Sequence, residues 1–509
     1  MYQTSNSQIK KGAIISYFSI VFNIVVGLVY TPWMIELIGK SDYGLYVLVT
    51  SFLAYFLVDF GLSQSITRFI SKYIAENKEH KINEFLGLTV KLYILLDLII
   101  LAVLAIVFLY IENIFIELTP NELDRFKDVF IIAGFFSLVS FPFKPLDGVL
   151  SANERFVFLK FLDLFSKICS ILLIVAVLLM GYGLYALIIV NALVGIVMIV
   201  LKLLYLSRTT TIKIDFSYFT KSAFKELFNF SGWVTISSLA QKFIISSIPA
   251  ILAIFVGTND IAIFGIGMTI EGYMWTFANA LNGLFLPKVS QLSLNKDNLT
   301  GVNTLMLKVG RIQLILFGGI LIGFITLGKE FIVLWIGKDF VNSYYVGMLL
   351  SLTGIVTFTQ VIGTTYIYVA NKVKFLALVN IFAAITSLGL AVFLVPKYGV
   401  VGSAVSIFIG LFVSNIIGLN IVYKKILKLD IFNFFYNCHL KMLLPLFLSF
   451  TSGYLIQYFV PSESWMLFLF KGLFFSLLYV LFMWLLGMNK EEKGFVKSIA
   501  MKLTSPLFK

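Results

Sequence analysis

An ionisable side chain inside an apolar stretch is where this sequence can do chemistry, because a charge in hydrocarbon costs several kcal/mol unless it is paired or hydrated. Lys242 lies in the apolar stretch 228–256, where an ammonium can hold an anion as a point charge and still release it. The plainer reading is a lysine reaching back to the membrane surface, since it falls about 14 residues into the stretch. Lys144 and Asp147 stand at i, i+3 beside Pro142 and Pro145, a spacing that lets them pair on one helix face. The prolines open the backbone ladder, which a membrane tolerates where water or other groups take up the freed carbonyls. That segment is either a hydrated bend or simply the inner end of a helix. Glu271, followed by Gly272, falls about ten residues into the stretch 261–286, near the middle of a span. A carboxyl there can be neutral when loaded with a proton and charged when empty; the alternative is a protonated acid bonded to a neighbouring helix. Asp59, just before Gly61, is a coupling candidate or an interfacial cap. Asp97 carries less, and Asp163 with Lys167 at i, i+4 fits a structural bridge. Arg68 and Arg311 stand at the inner mouths of their stretches, where anion capture competes with a purely topological role.

Signals of catalysis are missing. Gly39-Lys40-Ser41 matches the end of a nucleotide-binding loop, but Met34 stands where the first glycine is required. His80 and His439 are the only histidines, and neither joins a cluster with metal-ligand spacing. Cys169 and Cys438 fall in or next to apolar stretches, which does not make a disulfide framework. The expectation is a protein that is not an enzyme, has no cofactor and no metal, and draws any driving force from a proton or sodium gradient.

The elements that must position these residues are membrane helices. Hydrophobic residues make up 60% of the 509 and charged residues 13%, against about 45–50% and 25% in soluble domains. Fourteen apolar stretches can be marked, near 12–38, 44–66, 86–111, 129–150, 159–180, 184–206, 228–256, 261–286, 309–328, 344–369, 375–395, 401–423, 442–460 and 466–487. Most run to about 20 residues, the length that spans hydrocarbon as a helix. The runs are continuous and not alternating, which excludes a β-barrel. The fold class expected is therefore an all-α integral membrane protein of about fourteen transmembrane helices. Its 52 Phe and 24 Tyr can stack on sugars, but lipid-facing and interfacial rings account for most of them.

A net charge of +13 suggests nucleic acid until its placement is considered. With the N-terminus on the cytoplasmic side, the inner segments hold 27 of the 39 basic residues and the outer ones six: Lys40, Arg125, Lys127, Lys329, Lys338 and Lys397. That is the positive-inside bias. It predicts both termini in the cytoplasm and no nucleic-acid partner.

The chain also contains itself twice. Gly39-Lys40-Ser41-Asp42 is matched by Gly257-Thr258-Asn259-Asp260, and Ala152-Asn153 by Ala370-Asn371, both 218 residues apart; Tyr182-Gly183 is matched by Tyr398-Gly399 at 216. Six helices per repeat is an even number, so both repeats enter the membrane from the same side as a parallel pair. The expected organisation is an N-lobe (1–206), an interfacial linker (207–227), a C-lobe (228–423) and an appended helix pair with a cytoplasmic tail (424–509). Two pseudo-equivalent lobes around a midline suit alternating access.

Lys10-Lys11-Gly12 and the turn Asp42-Tyr43-Gly44-Leu45-Tyr46 resemble the start of the polysaccharide transporter family. These are O-antigen-type flippases of the multidrug/oligosaccharidyl-lipid/polysaccharide exporter superfamily. Phe331-Ile332-Val333-Leu334-Trp335-Ile336-Gly337 and Val395-Pro396-Lys397-Tyr398-Gly399 resemble two further turns of that family. The likeness covers essentially the whole chain. It implies movement of an undecaprenyl-pyrophosphate-linked oligosaccharide from the cytoplasmic to the periplasmic leaflet of the bacterial inner membrane. It also implies a monomer working among membrane lipids beside a polysaccharide polymerase and chain-length machinery. Lys242, Lys144, Arg311 and Arg68 are then the expected pyrophosphate contacts, with Glu271, Asp59 and Asp147 for ion coupling. One departure stands out: many relatives have an acidic residue in mid-helix 7, where this chain reads Ser246-Ser247-Ile248-Pro249-Ala250. Two rival functions remain. A multidrug exporter of the same superfamily usually has twelve helices and an acidic lumen, and an O-antigen polymerase usually needs a large basic outer loop.

Overall fold

A chain in hydrocarbon must satisfy its backbone hydrogen bonds within each segment, and this one does so with helices. The computed structural model describes residues 2–56, 62–210, 215–216, 221–279, 285–293, 299–460 and 464–504, and among these there is no strand. Eleven helices are long and apolar enough to cross a membrane, where fourteen were expected. Where they are described, all fourteen stretches are chiefly helical, and three features account for the difference. Lys40–Phe56 stops at 17 residues, where the described segment ends. Thr258–Asn279, which carries Asp260 and Glu271, also ends where the described segment ends. The stretches 375–395 and 401–423 run together as Val373–Lys425.

The helices used below, in chain order, are α1 (Tyr2–Ile38), α2 (Lys40–Phe56), α3 (Leu62–Ala75), α4 (Glu79–Leu109), α5 (Pro120–Ser140), α6 (Pro145–Ala152), α7 (Phe156–Leu179) and α8 (Leu184–Thr209). They continue with α9 (Lys221–Ser246), α10 (Ile248–Phe255), α11 (Thr258–Asn279), α12 (Leu299–Trp335), α13 (Val373–Leu411), α14 (Ile431–Cys438), α15 (Leu443–Phe459), α16 (Trp465–Phe482) and α17 (Lys490–Thr504).

The chain divides into two compact units, Met1–Gly265 with Asn380–Ile407 and Ile266–Val379 with Phe408–Lys509. These cuts differ from those drawn from sequence at 206, 227 and 423. The reason is packing: α9 lies against α2 and α3, and α10 against α2, so the second repeat's first helices join the first repeat. Of the expected interfacial linker 207–227, residues 211–214 and 217–220 lie outside the described residues, and from Lys221 the chain is already helix α9.

In the first unit, α3 packs on α6 and α1 on α7. Phe52, Phe115, Phe126 and Phe130 form an aromatic cluster with centroid distances of 5.3–6.3 Å. Helix α5 opens with a complete capping box: the Thr119 hydroxyl accepts from the Glu122 amide, and the Glu122 carboxylate accepts from the Thr119 amide. Pro120 stands at N1, where its missing N–H costs nothing. In the second unit, α12 packs against α15 and α16. Gly319 makes that possible, because a Cβ there would lie 2.7 Å from the Tyr479 ring.

Backbone geometry supports the duplication independently of residue identity. Gly39 and Gly257 both turn left-handed, at φ 84° and 92°, as do Glu154 and Asn371 at 57° and 54°, one residue off the sequence pairing of Asn153 with Asn371. The third pair is Gly181 and Gly399, at φ 86° and 55°. Gly399 thus aligns with Gly181 at an offset of 218, and the sequence pairing with Gly183 was two residues out of register. Gly183, at φ −99°, is not the turn residue.

Candidate functional site

Lys242 sits on α9, a helix fixed on its other faces. The Asn380 amide donates to the buried Ser237 hydroxyl at 2.7 Å, Tyr55 and Ser247 share a short hydroxyl contact, and Tyr55 and Phe243 rings stand 5.0 Å apart. Lys242 itself is exposed and has no hydrogen-bond or ion-pair partner among the described residues. An exposed cation without an internal partner can take a phosphate and give it up.

Glu271, in the second unit, is partly buried on α11 and likewise has no partner among the described residues. The space beside it is open, for a Cβ on Gly272 would meet nothing within 4 Å. The Thr276 hydroxyl donates to the Gly272 carbonyl at 2.7 Å, tying the helix just past the carboxyl. A group so placed can load and release a cation without first breaking an internal bond.

The other candidates are distributed differently from the sequence reading. Asp147 accepts from Lys202 of α8 at 2.5 Å, where the sequence spacing offered Lys144, which stands at the 3₁₀ turn between Ser140 and Pro145. Lys144 is partly buried at that turn. Asp163 pairs with Lys160 at 3.2 Å, and not with Lys167. Arg68 is exposed on α3. Asp59 lies outside the described residues.

Arg311 is buried and saturated. Its Nε donates to Glu492 at 2.6 Å, one terminal nitrogen to the Asn437 carbonyl at 2.7 Å, and the other to the Gly487 carbonyl at 2.7 Å and Glu492 at 3.0 Å. A bidentate pair of this kind spends the guanidinium on holding α17 and the end of α14 to α12. The sequence reading of Arg311 as an anion-capturing mouth residue gives way to a structural one.

Two clusters went unremarked in the sequence. Lys471 of α16 donates to Glu330 of α12 at 2.7 Å and to Gln457 of α15 at 3.0 Å, with Lys471 only 1% exposed. A lone lysine in an otherwise apolar last span was the signal. At the outer turns, Glu122 Oε1 accepts from Ser41 at 2.5 Å and from Thr258 at 2.6 Å. Arg125 bonds Asp42 at 2.6 Å beside it. Gly44 permits this approach, since a Cβ there would lie 2.2 Å from the Thr258 carbonyl oxygen. Ser41 and Thr258 open equivalent helices of the two repeats, so this contact joins repeat to repeat.

The profile of the polysaccharide biosynthesis protein family matches residues 9–293, more than half of the chain. The chain belongs to that family. Within curated proteins, this polysaccharide biosynthesis protein is 26% identical over 196 residues to a putative O-antigen transporter of Shigella flexneri, covering 38% of this chain and 46% of that one, so about half of the relative's length is spanned. Solved structures share its fold. A lipid II flippase, MurJ, in an inward closed conformation matches with TM-score 0.64 at 16% identity, over 98% of this chain and 99% of that one. An inward-facing multidrug resistance transporter of the same exporter superfamily matches with TM-score 0.62 at 15% identity, over 80% and 96%. A third transporter of that superfamily, from Pyrococcus furiosus, matches with TM-score 0.60 at 13%, over 82% and 94%. The polysaccharide biosynthesis protein described here is thus a multi-pass membrane protein of a transporter fold.

Proposed function

We propose that the protein is a flippase that carries an undecaprenyl-pyrophosphate-linked oligosaccharide from the cytoplasmic to the periplasmic leaflet during cell-surface polysaccharide synthesis. Coverage carries the reading. The lipid II flippase accounts for 98% of this chain, whereas the multidrug transporter leaves a fifth of it unmatched. The O-antigen transporter relative and the family membership support the same substrate class.

In this reading Lys242 holds the pyrophosphate as a releasable point charge, and Glu271 exchanges a proton or sodium ion so that the gradient biases which arrangement is favoured. One elementary charge moving across 100 mV supplies about 2.3 kcal/mol, so one or two cations drive a tenfold or larger bias per cycle without nucleotide. The protein needs no cofactor and performs no bond chemistry. It works as a monomer in the bacterial inner membrane, with both termini cytoplasmic as the basic-residue bias requires, and hands its cargo to a polymerase and chain-length machinery.

The deciding experiment places the purified protein in proteoliposomes under an imposed pH or sodium gradient and follows both a lipid-linked oligosaccharide and a cationic dye. Gradient-dependent flipping of the lipid supports the proposal. Dye export without lipid flipping would make it a multidrug exporter instead. A reporter fused after Lys509 that is active only in the periplasm would overturn the topology.

A further inference from the structure

Besides Lys242, the first unit carries a polar cavity of about 610 Å³ lined in part by Lys78 and Arg208. Three segments build it: the turn from α3 into α4, the turn after α6 at Asn153, and the C-terminal end of α8. Its cationic donors are Arg208 and Lys78. Arg208 is exposed and has no partner among the described residues. Lys78 is held only by the exposed Glu76 at 2.7 Å, a solvated pair that a phosphate can displace. No side chain caps the start of the 31-residue helix α4 at Lys78, so its first amides add positive potential. Its acceptors include the Glu79 carboxylate and the Asn77, Asn83 and Asn153 side chains, and on the α8 side the Ser207 and Thr210 hydroxyls. Ser207 and Thr210 donate back to the Leu204 and Leu206 carbonyls at 3.0 and 2.8 Å, which leaves their lone pairs turned to whatever enters.

Donors that suit one negative charge and acceptors that suit hydroxyl groups, in one cavity, describe a single ligand chemistry. We infer that this cavity binds a phosphate ester bearing a polyol, with Arg208 and Lys78 on the phosphate and the Ser207 and Thr210 hydroxyls on the polyol. The ligand comes either from the bilayer, as a glycerol-type phospholipid headgroup, or from solution, as a free polyol phosphate. The site stands apart from the transport candidates. It rests on the proposed orientation only for the choice of leaflet.

The test uses the full chain purified in detergent. Native mass spectrometry counts retained phosphatidylglycerol against phosphatidylcholine, and calorimetry titrates glycerol 3-phosphate. The double variant Arg208→Ala with Lys78→Ala removes both cations; both side chains are exposed, so the core is untouched. Lys424→Ala with Lys425→Ala, in the other unit, removes the same charge elsewhere. The expected result is binding by wild type and by the control, with at least a tenfold loss in the Arg208/Lys78 variant. Retention of phosphatidylglycerol alone assigns the source to the membrane, and binding of glycerol 3-phosphate as well assigns it to solution. The inference falls if wild type binds neither probe, or if the two double variants lose binding equally. Neither outcome bears on flipping, which is read separately.

Discussion

The helix bundle of the second unit contrasts with α9 and α11 in how each holds its charged residues. In the second unit's bundle of α12, α15, α16 and α17, Arg311 and Lys471 are buried and each meets a carboxylate at 2.6–2.7 Å. On α9 and α11, Lys242 and Glu271 have no such partner among the described residues. A buried pair costs nearly as much to desolvate as it returns in attraction, but losing one partner strands the other. The buried pairs therefore use charge to fix helices in place, whereas Lys242 in the first unit and Glu271 in the second keep charge available.

The largest effect expected from this contrast is on stability. Lys471→Ala should lower the free energy of unfolding by about 3–5 kcal/mol, because Glu330 is left buried and uncompensated. Thermal unfolding in detergent would show it, and the double variant Lys471→Leu with Glu330→Leu should recover most of the loss. If Lys471→Ala unfolds like wild type, the pair is not the clasp that holds α16 to α12.

Lys242→Ala should do the reverse: membrane abundance and melting stay unchanged while complementation of a flippase deletion is lost. Removing one charge-assisted contact is worth about 1.5–3 kcal/mol, roughly one to two powers of ten in substrate affinity. Lys242→Arg should keep partial function, since charge persists while geometry changes. Full complementation by the alanine variant would reduce Lys242 to a surface-seeking anchor.

Glu271→Gln is expected to mimic the loaded state. Substrate binding survives, turnover falls severalfold, and the response to an imposed pH gradient flattens. A glutamine variant that follows the gradient as wild type does would move coupling elsewhere, with Asp59 as the next candidate.

Smallest of the four, Ser41→Ala should cost about 1 kcal/mol, because Glu122 keeps its bond from Thr258. Melting temperature is the readout. A loss several times larger would mean that this contact between the repeats rests on Ser41 alone.

Much of this architecture could be read from the residues. Span positions were legible because hydrocarbon thickness dictates length, and the duplication because turn residues recur at fixed offsets. Lys242 and Glu271 were found as charges in apolar surroundings, a purely local signal. The partners of the charges were not legible. Lys471 meets Glu330 across 141 positions and Arg311 meets Glu492 across 181, and no spacing rule reaches that far. For Asp147 the bond from Lys202, 55 positions away on another helix, lay equally beyond a local spacing rule. For Asp163 two lysines were within reach, and sequence alone could not choose Lys160 over Lys167.

The paired left-handed residues have a consequence for how the molecule's ancestry can be traced. A lipid-facing leucine can become isoleucine, phenylalanine or valine at little cost, so helix surfaces drift freely and erase the resemblance between two copies of an ancestral half. A backbone bent to positive φ tolerates few residues, and the residues at Gly39, Gly181 and Gly257 cannot wander in the same way. The chain's history is therefore written in its corners, and a search for other duplicated halves would do better to align turns first and let the helices follow.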